Sequence, residues 1–254
     1  MTSSRNAIYF ISDAHLGSGN DSPQRERCLC ALLDSIKHDA ATLVLLGDMF
    51  DFWFTYKHVV PKGHIRLLGK LAELADAGVK IHYFIGNHDM WLFEYLSQEI
   101  GAEMHADPEI MTLNGERFLI GHGDGLGGSD PSYNRLRRMF RNRLCQRLFS
   151  HVSPSITFPI ARRWSDSNKL KHQRENLDHY LGEEKEGIII YIKERLVTES
   201  VTYCVFGHRH TPLDMTLQLS AERSVQYVNT GDWLYHKTYA RYADGKLSLL
   251  TADR

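Results

Sequence analysis

The sequence predicts a layered α/β fold with mixed sheets, and two observations support this prediction. Up to residue 100, short apolar runs alternate with segments of helical periodicity, and later in the chain strand-like runs prevail. Five of the apolar runs end abruptly in aspartate, asparagine or histidine. Because ligands bind at the carboxyl ends of strands in open α/β sheets, the same runs also indicate a site.

The first hundred residues contain three predicted strands and three predicted helices. Each strand is a short apolar run, and each helix has apolar residues at helical spacing. The strands are predicted at 7–11, 42–46 and 79–85, and the helices at 24–38, 64–77 and 90–100. Gly78 and Gly101 follow the second and third helices, where glycine commonly ends a helix.

The later part of the chain is predicted to be mainly strands. Asn114-Gly115 marks the tight turn of a hairpin over 110–120. A helix is predicted at 188–198 and a strand at 201–206. Four more strands are predicted to be antiparallel and to close a second sheet, at 213–219, 224–229, 237–243 and 246–251.

Residues 131–175 differ from the rest of the chain in charge. They contain 11 Arg or Lys against 2 acids, so they carry +9, whereas the whole chain carries −1. Five apolar residues there follow helical spacing and predict a basic amphipathic helix: Leu136, Met139, Phe140, Leu144 and Leu148. This helix is either an ordinary one with a solvated face, or a cap that meets an anionic lipid or substrate. Nucleic acid is a third possible partner, although no zinc-finger or RNA-binding signature accompanies the charge.

The composition restricts the class of protein. The chain has 254 residues, 43% of them hydrophobic, which suits one α/β domain with an insertion or at most two domains. No apolar run approaches the roughly 20 residues of a membrane span. Four cysteines form no CxxC pair, and the N-terminal residues lead into the first strand without a secretory leader pattern. These features favour reduced cysteines in the cytosol.

An aromatic-rich segment follows the second predicted strand. Residues 50–56 contain Phe50, Phe52, Trp53, Phe54 and Tyr56. These rings either pack as core or line a pocket for an apolar part of a substrate, since ligand clefts are often aromatic.

Seven residues at the ends of the apolar runs are candidate metal ligands. They are Asp13, His15, Asp48, Asn87, His122, His208 and His210. Mixed imidazole and oxygen ligation suits Mn²⁺, Fe²⁺ or Zn²⁺ better than Mg²⁺. Asp13 and His15 are two positions apart, as are His208 and His210, so each pair points the same way on an extended chain. Two ions sharing one carboxylate would activate a water and neutralise a phosphoryl group.

The motifs that contain these ligands occur in the order found in one enzyme family. They are Asp13-x-His15, Gly47-Asp48-x-x-Asp51, Gly86-Asn87-His88-Asp89, Gly121-His122-Gly123-Asp124 and Gly207-His208-x-His210. On these motifs, the chain resembles the calcineurin-like metallophosphoesterases. The resemblance implies a four-layer α-β-β-α sandwich with a dimetal site between the sheets. It implies one domain, 1–254, with a helical insertion at 127–187 as a lid.

The resemblance also implies a role for each site residue. One ion would take Asp13, His15, Asp48 and His210, and the other would take Asp48, Asn87, His122 and His208. His88 would protonate the leaving oxygen or hold the phosphate, with Asp89 or a neighbour orienting it. Asp51 is expected to support the site rather than to bind metal.

Within this family, the chain is most similar to the UDP-2,3-diacylglucosamine pyrophosphohydrolases of lipid A synthesis. The residues that carry the likeness are 12–17, 47–53, 122–126 and 229–233, together with the basic insertion. The chain departs from the best-known members at His88, where they carry arginine; histidine is the general phosphoesterase pattern.

This finer resemblance implies a reaction, a cofactor and a location. The pyrophosphate of the UDP-sugar lipid would be cleaved to UMP and 2,3-diacylglucosamine 1-phosphate, with two divalent ions, manganese being expected. Asp130, Asn168 and Lys171 would bind the substrate. The protein would be cytoplasmic and peripheral on the inner membrane, and no nucleic acid would be bound. The alternatives are a phosphoesterase for another phosphate ester or nucleotide, and a scaffold that has lost catalysis, although no metal ligand is missing.

Overall fold

A computed structural model describes residues 5–128, 131–161, 163, 165 and 179–252. Its strands are β1 (Ala7–Ile11), β2 (Ala40–Leu45), β3 (Lys80–Phe84), β4 (Glu103–His105), β5 (Glu109–Leu113), β6 (Glu116–Gly121), β7 (Tyr203–Phe206), β8 (Pro212–Gln218), β9 (Ser224–Thr230), β10 (Thr238–Ala243) and β11 (Lys246–Thr251). Its helices are α1 (Ser22–Ile36), α2 (Ile65–Asp76), α3 (Tyr95–Ile100), α4 (Pro131–Arg141), α5 (Arg143–Phe149) and α6 (Gly187–Arg195).

The strands form two sheets. One has the order β11-β10-β1-β2-β3-β4, and the other has the order β5-β6-β7-β9-β8. Strands β1 to β4 are parallel to one another, as are β6, β7 and β9, whereas β5, β8, β10 and β11 add antiparallel edges. Both sheets are therefore mixed, as predicted.

Alternate residues of β1 show how the layers pack. Ile8 and Phe10 are fully buried in the cluster between the two sheets, where they meet Phe118 of β6 and Val205 of β7. Tyr9 and its neighbours on the other face join the cluster with α1 and α2. A third cluster packs α6 against the second sheet. The order is helices, sheet, sheet, helix, and the predicted four-layer α-β-β-α sandwich is confirmed.

One part of the predicted topology is wrong. β10 and β11 do not join the second sheet; β10 pairs antiparallel with β1, so this hairpin extends the first sheet. β9 pairs antiparallel with β8, as predicted, and its other side pairs parallel with β7. The free edge of β1 accepts a strand more than 200 residues away, and no local pattern signals such a long-range pairing.

Three local predictions also need correction. The third helix begins at Tyr95 rather than at residue 90, because Trp91 forms a bridge with Phe54 and Phe93 has a left-handed backbone. The short strand β4 was not predicted. The basic helix is two helices, α4 and α5, because Asn142 is extended and caps α5 by accepting hydrogen bonds from two backbone amides.

The segment between β6 and α6 leaves the sandwich, and its described part lies over one side of it. It contains α4, α5 and helical residues 154–161. Trp91 donates a hydrogen bond to the Phe140 carbonyl oxygen, and Tyr56 and Thr157 share another. The segment is therefore tied both to the loop after β3 and to the aromatic-rich residues 50–56, called the aromatic loop below. Among the described helices, none has the length and apolar content to cross a bilayer.

Candidate metal centre

The predicted ligands meet where strands of both sheets end. Asp13 and His15 follow β1, Asp48 follows β2, and Asn87 follows β3. His122 follows β6, and His208 and His210 follow β7. The parallel pairing of these strands brings their carboxyl ends to one edge of each sheet, so residues from distant parts of the chain converge.

The ligand loops have an unusual backbone. Asp13, His15, Asp48, His208 and His210 all have φ between 43° and 70°, in the left-handed region that residues other than glycine seldom adopt. Aspartate and histidine tolerate this region better than most residues do. The sharp turns aim successive side chains at one point, and such local strain is typical of functional sites.

The first group of ligand atoms comes from Asp13, His15 and His210. The Nε2 atoms of the two histidines are 3.1 Å apart. Asp13 Oδ1 is 3.3 Å from His210 Nε2 and 3.8 Å from His15 Nε2. These atoms therefore surround a common point.

The second group comes from Asp48, Asn87, His122 and His208. His122 Nε2 is 3.4 Å from Asp48 Oδ2 and 3.2 Å from Asn87 Oδ1. His208 offers a ring nitrogen within 4.8 Å of the Asp48 and His122 ligand atoms. Asp48 Oδ2 is also 4.0 Å from His15 Nε2, so Asp48 lies between the two groups.

Each central carboxylate is held by a backbone amide through one oxygen only. His208 N–H donates to Asp13 Oδ2, and His88 N–H donates to Asp48 Oδ1, both at 2.8 Å. The other oxygens, Asp13 Oδ1 and Asp48 Oδ2, face the imidazoles. Asp13 Oδ1 is buried and accepts no hydrogen bond from the described residues. A buried carboxylate oxygen in that condition is costly unless a cation or donor meets it, so the donor set fits divalent metal.

Three of the imidazoles have an oxygen near the nitrogen that faces away from the other candidate ligands. His122 Nδ1 is 2.7 Å from the Leu46 carbonyl oxygen. His15 Nδ1 is 3.6 Å from Asp51 Oδ1, and His210 Nδ1 is 3.8 Å from Asp232 Oδ2. The hydrogen-bonded oxygen on His122 Nδ1 fixes the orientation of that ring and favours the tautomer that leaves Nε2 to bind metal, whereas the two longer contacts are not hydrogen bonds.

The pKa values at the centre reflect burial and close charges. Burial opposes charge on Asp48, but the imidazoles of His122 and His88 hold its pKa well below the usual value. Burial would lower the pKa of His122, but Asp48 and Asp13 raise it to about 10. Burial lowers the pKa of His15 and of His208 to about 4, which keeps both rings neutral. A bound cation would replace the positive charge that His122 carries in its absence.

Asp89 does not contact the His88 ring as the prediction suggested. Its fully buried carboxylate accepts hydrogen bonds from the backbone amides of Met49 and Gly86 and from the Tyr83 hydroxyl. It therefore ties the loops after β2 and β3 together. The Asp51 carbonyl oxygen lies 2.9 Å from His88 Nδ1 instead.

Asp232 is a further buried acid beside the candidate ligands, and no supporting role was predicted for it. Asp232 is fully buried, and its Oδ1 accepts hydrogen bonds from the backbone amides of Tyr235 and His236 while its Oδ2 faces His210. In the sequence, the position of Asp232 just after β9 is the feature that could have indicated a place at the site. The predicted substrate residues Asp130, Asn168 and Lys171 lie outside the described residues.

Comparison with known proteins identifies the family. A family model for the calcineurin-like phosphoesterases matches residues 7–212, which include all seven candidate ligands. This chain belongs to the calcineurin-like phosphoesterase family. With the converging ligands, membership makes it a metal-dependent hydrolase that uses divalent ions.

Individual relatives are similar over most of their length. A Porphyromonas gingivalis protein named UDP-2,3-diacylglucosamine hydrolase is 40% identical over 249 residues, which cover 93% of this chain and 94% of that protein. A protein of the same name from Ectopseudomonas mendocina is 29% identical over 227 residues, covering 89% of this chain and 90% of the relative. Among solved structures, the E. coli phosphoesterase Yfce is 13% identical with a TM-score of 0.48, covering 97% of this chain and 93% of that one.

In this phosphoesterase an apolar cavity opens beside the metal centre. It has a volume of about 510 Å³, the size of a small-molecule pocket. Asn87, His88 and Asp51 lie at its metal end. Most of its wall is apolar, from the aromatic loop, the loop after β3 and the segment over the sandwich: Phe52, Met90, Trp91, Leu136, Met139, Phe140, Phe149, Val152, Ile156 and Ile160.

The cavity separates the two interpretations of the aromatic loop. Phe50, Trp53 and Phe54 are at most 1% exposed and pack as core. Phe52 lines the cavity and meets Phe158 edge-on, with ring centroids 5.0 Å apart. Both interpretations therefore hold, each for different rings.

Proposed function

We propose that this chain hydrolyses the pyrophosphate of UDP-2,3-diacylglucosamine to UMP and 2,3-diacylglucosamine 1-phosphate, as a step of lipid A biosynthesis. The observation that carries the proposal is the continuous apolar cavity beginning at Asn87 and His88. A phosphate ester without an apolar part would make no contact with most of the wall of this cavity. The names of the relatives support the same substrate.

The proposed ligand sets follow the two groups of atoms. One ion would be held by Asp13, His15, Asp48 and His210, and the other by Asp48, Asn87, His122 and His208. Asp48 would bridge, because its Oδ2 faces both groups. Two divalent ions, which we propose to be Mn²⁺, would supply an activated water and neutralise charge on the phosphoryl group.

His88 is placed to act on the substrate. It lines the cavity at its metal end and is 19% exposed, and its ring packs edge-on against His15. Because its Nδ1 faces the Asp51 carbonyl oxygen, its Nε2 remains to meet the phosphate. In the imidazolium form this nitrogen donates a proton or hydrogen bond to the leaving oxygen.

Arg137 supplies a second positive charge at the cavity. Its Nε is 2.7 Å from Asp124 Oδ2, and Tyr133 donates a hydrogen bond to the same oxygen. This pairing holds the guanidinium in the cavity wall. A pyrophosphate bound in the cavity would meet this arginine in the cavity wall.

Helices α4 and α5 and the helical residues after them have features of a membrane-binding surface. We propose that the protein associates peripherally with an anionic bilayer at the cytoplasmic face. Leu144 and Leu148 are 65% and 63% exposed on α5, and Ile160 is 63% exposed beyond it. Exposed arginines lie on the same helices, including Arg143 and Arg147. Apolar side chains among basic ones suit the interface of an anionic membrane.

The direct test is product analysis with the purified chain, Mn²⁺ and UDP-2,3-diacylglucosamine. UMP release is expected for the wild type and for Asp34→Ala, a change of an exposed acid on α1. Asp48→Ala should release none while keeping its circular dichroism spectrum. No UMP from the wild type would refute the proposal, and faster turnover of a soluble nucleotide than of the lipid would favour the alternative phosphoesterase.

A further inference from the structure

A second group of metal-binding side chains lies away from the metal centre. His82 of β3 and Glu103 and His105 of β4 present ligand atoms that all lie within 4.8 Å of one another. The two histidines are 5% and 8% exposed, so their rings are anchored in the sandwich. Glu103 is mostly exposed and reaches the group from the surface.

The strand register explains why these three residues meet. β3 and β4 are parallel, and His82 lies opposite Glu103 in the pair. Glu103 and His105 are two positions apart on the same strand, so their side chains share one face. The His105 ring also stacks on Phe84, with centroids 4.5 Å apart and planes at 17°, which fixes its orientation.

The distances suit one tetrahedral ion. His82 Nδ1 is 3.1 Å from His105 Nε2 and 3.4 Å from Glu103 Oε2. Zinc bonds of roughly 2.0–2.2 Å in tetrahedral geometry place ligand atoms about 3.3–3.6 Å apart. The metal centre shows the same spacing, with 3.1 Å between the Nε2 atoms of His15 and His210.

A second carboxylate supports His105 from behind. His105 Nδ1 is 3.1 Å from Glu109 Oε2, at the start of β5. A carboxylate on the outer nitrogen fixes the tautomer and raises the basicity of the inner nitrogen, as in many zinc sites. His105 Nε2 is then an acceptor that faces His82.

We propose that His82, Glu103 and His105 form a zinc site, with Glu109 positioning His105. Two imidazoles and one carboxylate are a donor set that zinc accepts, with water as a fourth ligand. β4 is an edge strand of the first sheet and β5 is an edge strand of the second. All three ligands belong to the first sheet, and the contact of His105 with Glu109 connects them to the edge of the second sheet, so the role of the ion is structural.

The competing interpretation is a simple hydrogen bond between the two rings, with both glutamates as surface ion pairs. In that case the group binds no metal beyond the weak affinity of any surface histidine. This proposal does not depend on the substrate or on the metal centre, because none of its residues belongs to either.

Metal content separates the two interpretations. Protein loaded with excess zinc and desalted should retain one equivalent more in the wild type than in His105→Ala or Glu103→Gln. His38→Ala removes an exposed histidine elsewhere and should retain as much as the wild type. Glu103→Gln alters an exposed side chain, so a loss of zinc there does not reflect unfolding. Equal zinc content in the wild type and both variants would overturn the proposal.

Two further measurements check the assignment. Cadmium NMR should show one resonance that is present in the wild type and absent in both variants. Glu109→Gln should weaken zinc affinity about 10–100-fold, the usual cost of losing such a supporting group. Unchanged affinity would remove Glu109 from the site. Mn²⁺-dependent hydrolysis, measured in parallel, should be unchanged in all these variants, so failure of the zinc site and of the proposed reaction are separate results.

Discussion

Glycine at two positions lets the ligand loops pack together. A Cβ on Gly86 would lie 2.2 Å from Asp48 Oδ1 and 2.5 Å from the Asp48 backbone nitrogen. A Cβ on Gly207 would lie 2.6 Å from Asp13 Oδ2. Both contacts involve the carboxylates at the heart of the centre, so the loops approach more closely than any side chain allows.

Gly86→Ala is therefore expected to disrupt the centre. The methyl group must displace Asp48, so we expect loss of bound metal and of activity, with destabilisation of about 1–3 kcal/mol from overpacking. Gly69→Ala is the matched control, because a Cβ there meets nothing within 4 Å and the residue lies inside α2. It should keep activity and gain up to about 1 kcal/mol in unfolding free energy. Normal metal content in Gly86→Ala would contradict this packing.

His88→Ala tests the role of His88 as a group that acts on substrate. We expect kcat to fall about 10²–10⁴-fold, the usual contribution of a general acid, with little change in bound metal. Elemental analysis and steady-state kinetics on the same preparation provide the comparison. If metal content falls in proportion to the rate, His88 is a ligand instead.

At this scale the candidate ligands could be predicted from the sequence, as could a supporting role for Asp51, whereas the contacts that the supporting groups make could not. An apolar strand comes shortly before each of Asp13, Asp48 and His122, and that local pattern can be recognised in the amino-acid sequence alone. The roles of Asp89 and Asp51 depend on which backbone atoms approach them from other loops. Such approaches exist only in the folded chain.

Among the elements, helices α4 and α5 carry some arginines that form ion pairs with the sandwich and others that are exposed to solvent. Arg141 forms an ion pair with Asp107 and a hydrogen bond to the Ala106 carbonyl oxygen, which ties α4 to the loop after β4. Arg137 extends toward the same aspartate. These two arginines hold α4 against the sandwich, and the exposed arginines elsewhere on α4 and α5 are the ones that would meet an anionic surface.

Reversing the exposed charges should weaken binding to anionic vesicles. The change is to glutamate at Arg135, Arg138, Arg143 and Arg147, all of them exposed. Each basic residue near an anionic surface contributes about 1 kcal/mol, so cosedimentation should fall at least 10-fold. The control reverses four exposed charges elsewhere: Arg27, Lys185, Arg195 and Lys246. An equal loss in both variants, or none in either, would leave α4 and α5 with an ordinary solvated face.

The predicted elements agree with the structure where their period is strong and long. α2 has a clear helical period and β1 is a sharply bounded apolar run, and both were located to within one residue at each end. β4 has only three residues, Glu103, Met104 and His105, so it offers too short a run to show a period. The break between α4 and α5 depends on one residue, Asn142, within an otherwise continuous apolar spacing.

At the scale of the whole molecule, most of the excess positive charge lies in one segment of the chain, apart from the acids and imidazoles of the candidate metal centre. The segment 131–175 carries +9 and the remainder of the chain about −10. The metal centre collects acids and imidazoles at the strand ends, while the described part of the basic segment covers the apolar cavity beside them. An anionic head group and an apolar tail would therefore meet complementary surfaces that adjoin one another.

The layered architecture could be predicted, but the membership of each sheet could not. Alternation of strands and helices indicates the layers, because each element must bury its apolar face against another. The pairing of β1 with β10 joins residues such as Phe10 and Ala240, and it depends on the closure of the whole chain. The resemblance to a known family supplied the four-layer order that local patterns left open.

The central claim is that Asp48 bridges two divalent ions, and anomalous scattering from crystals grown with Mn²⁺ tests it most directly. We predict two peaks about 3.5–4 Å apart with the Asp48 carboxylate between them. One should contact Asp13, His15 and His210, and the other Asn87, His122 and His208. A single peak, or none among these side chains, would contradict the account.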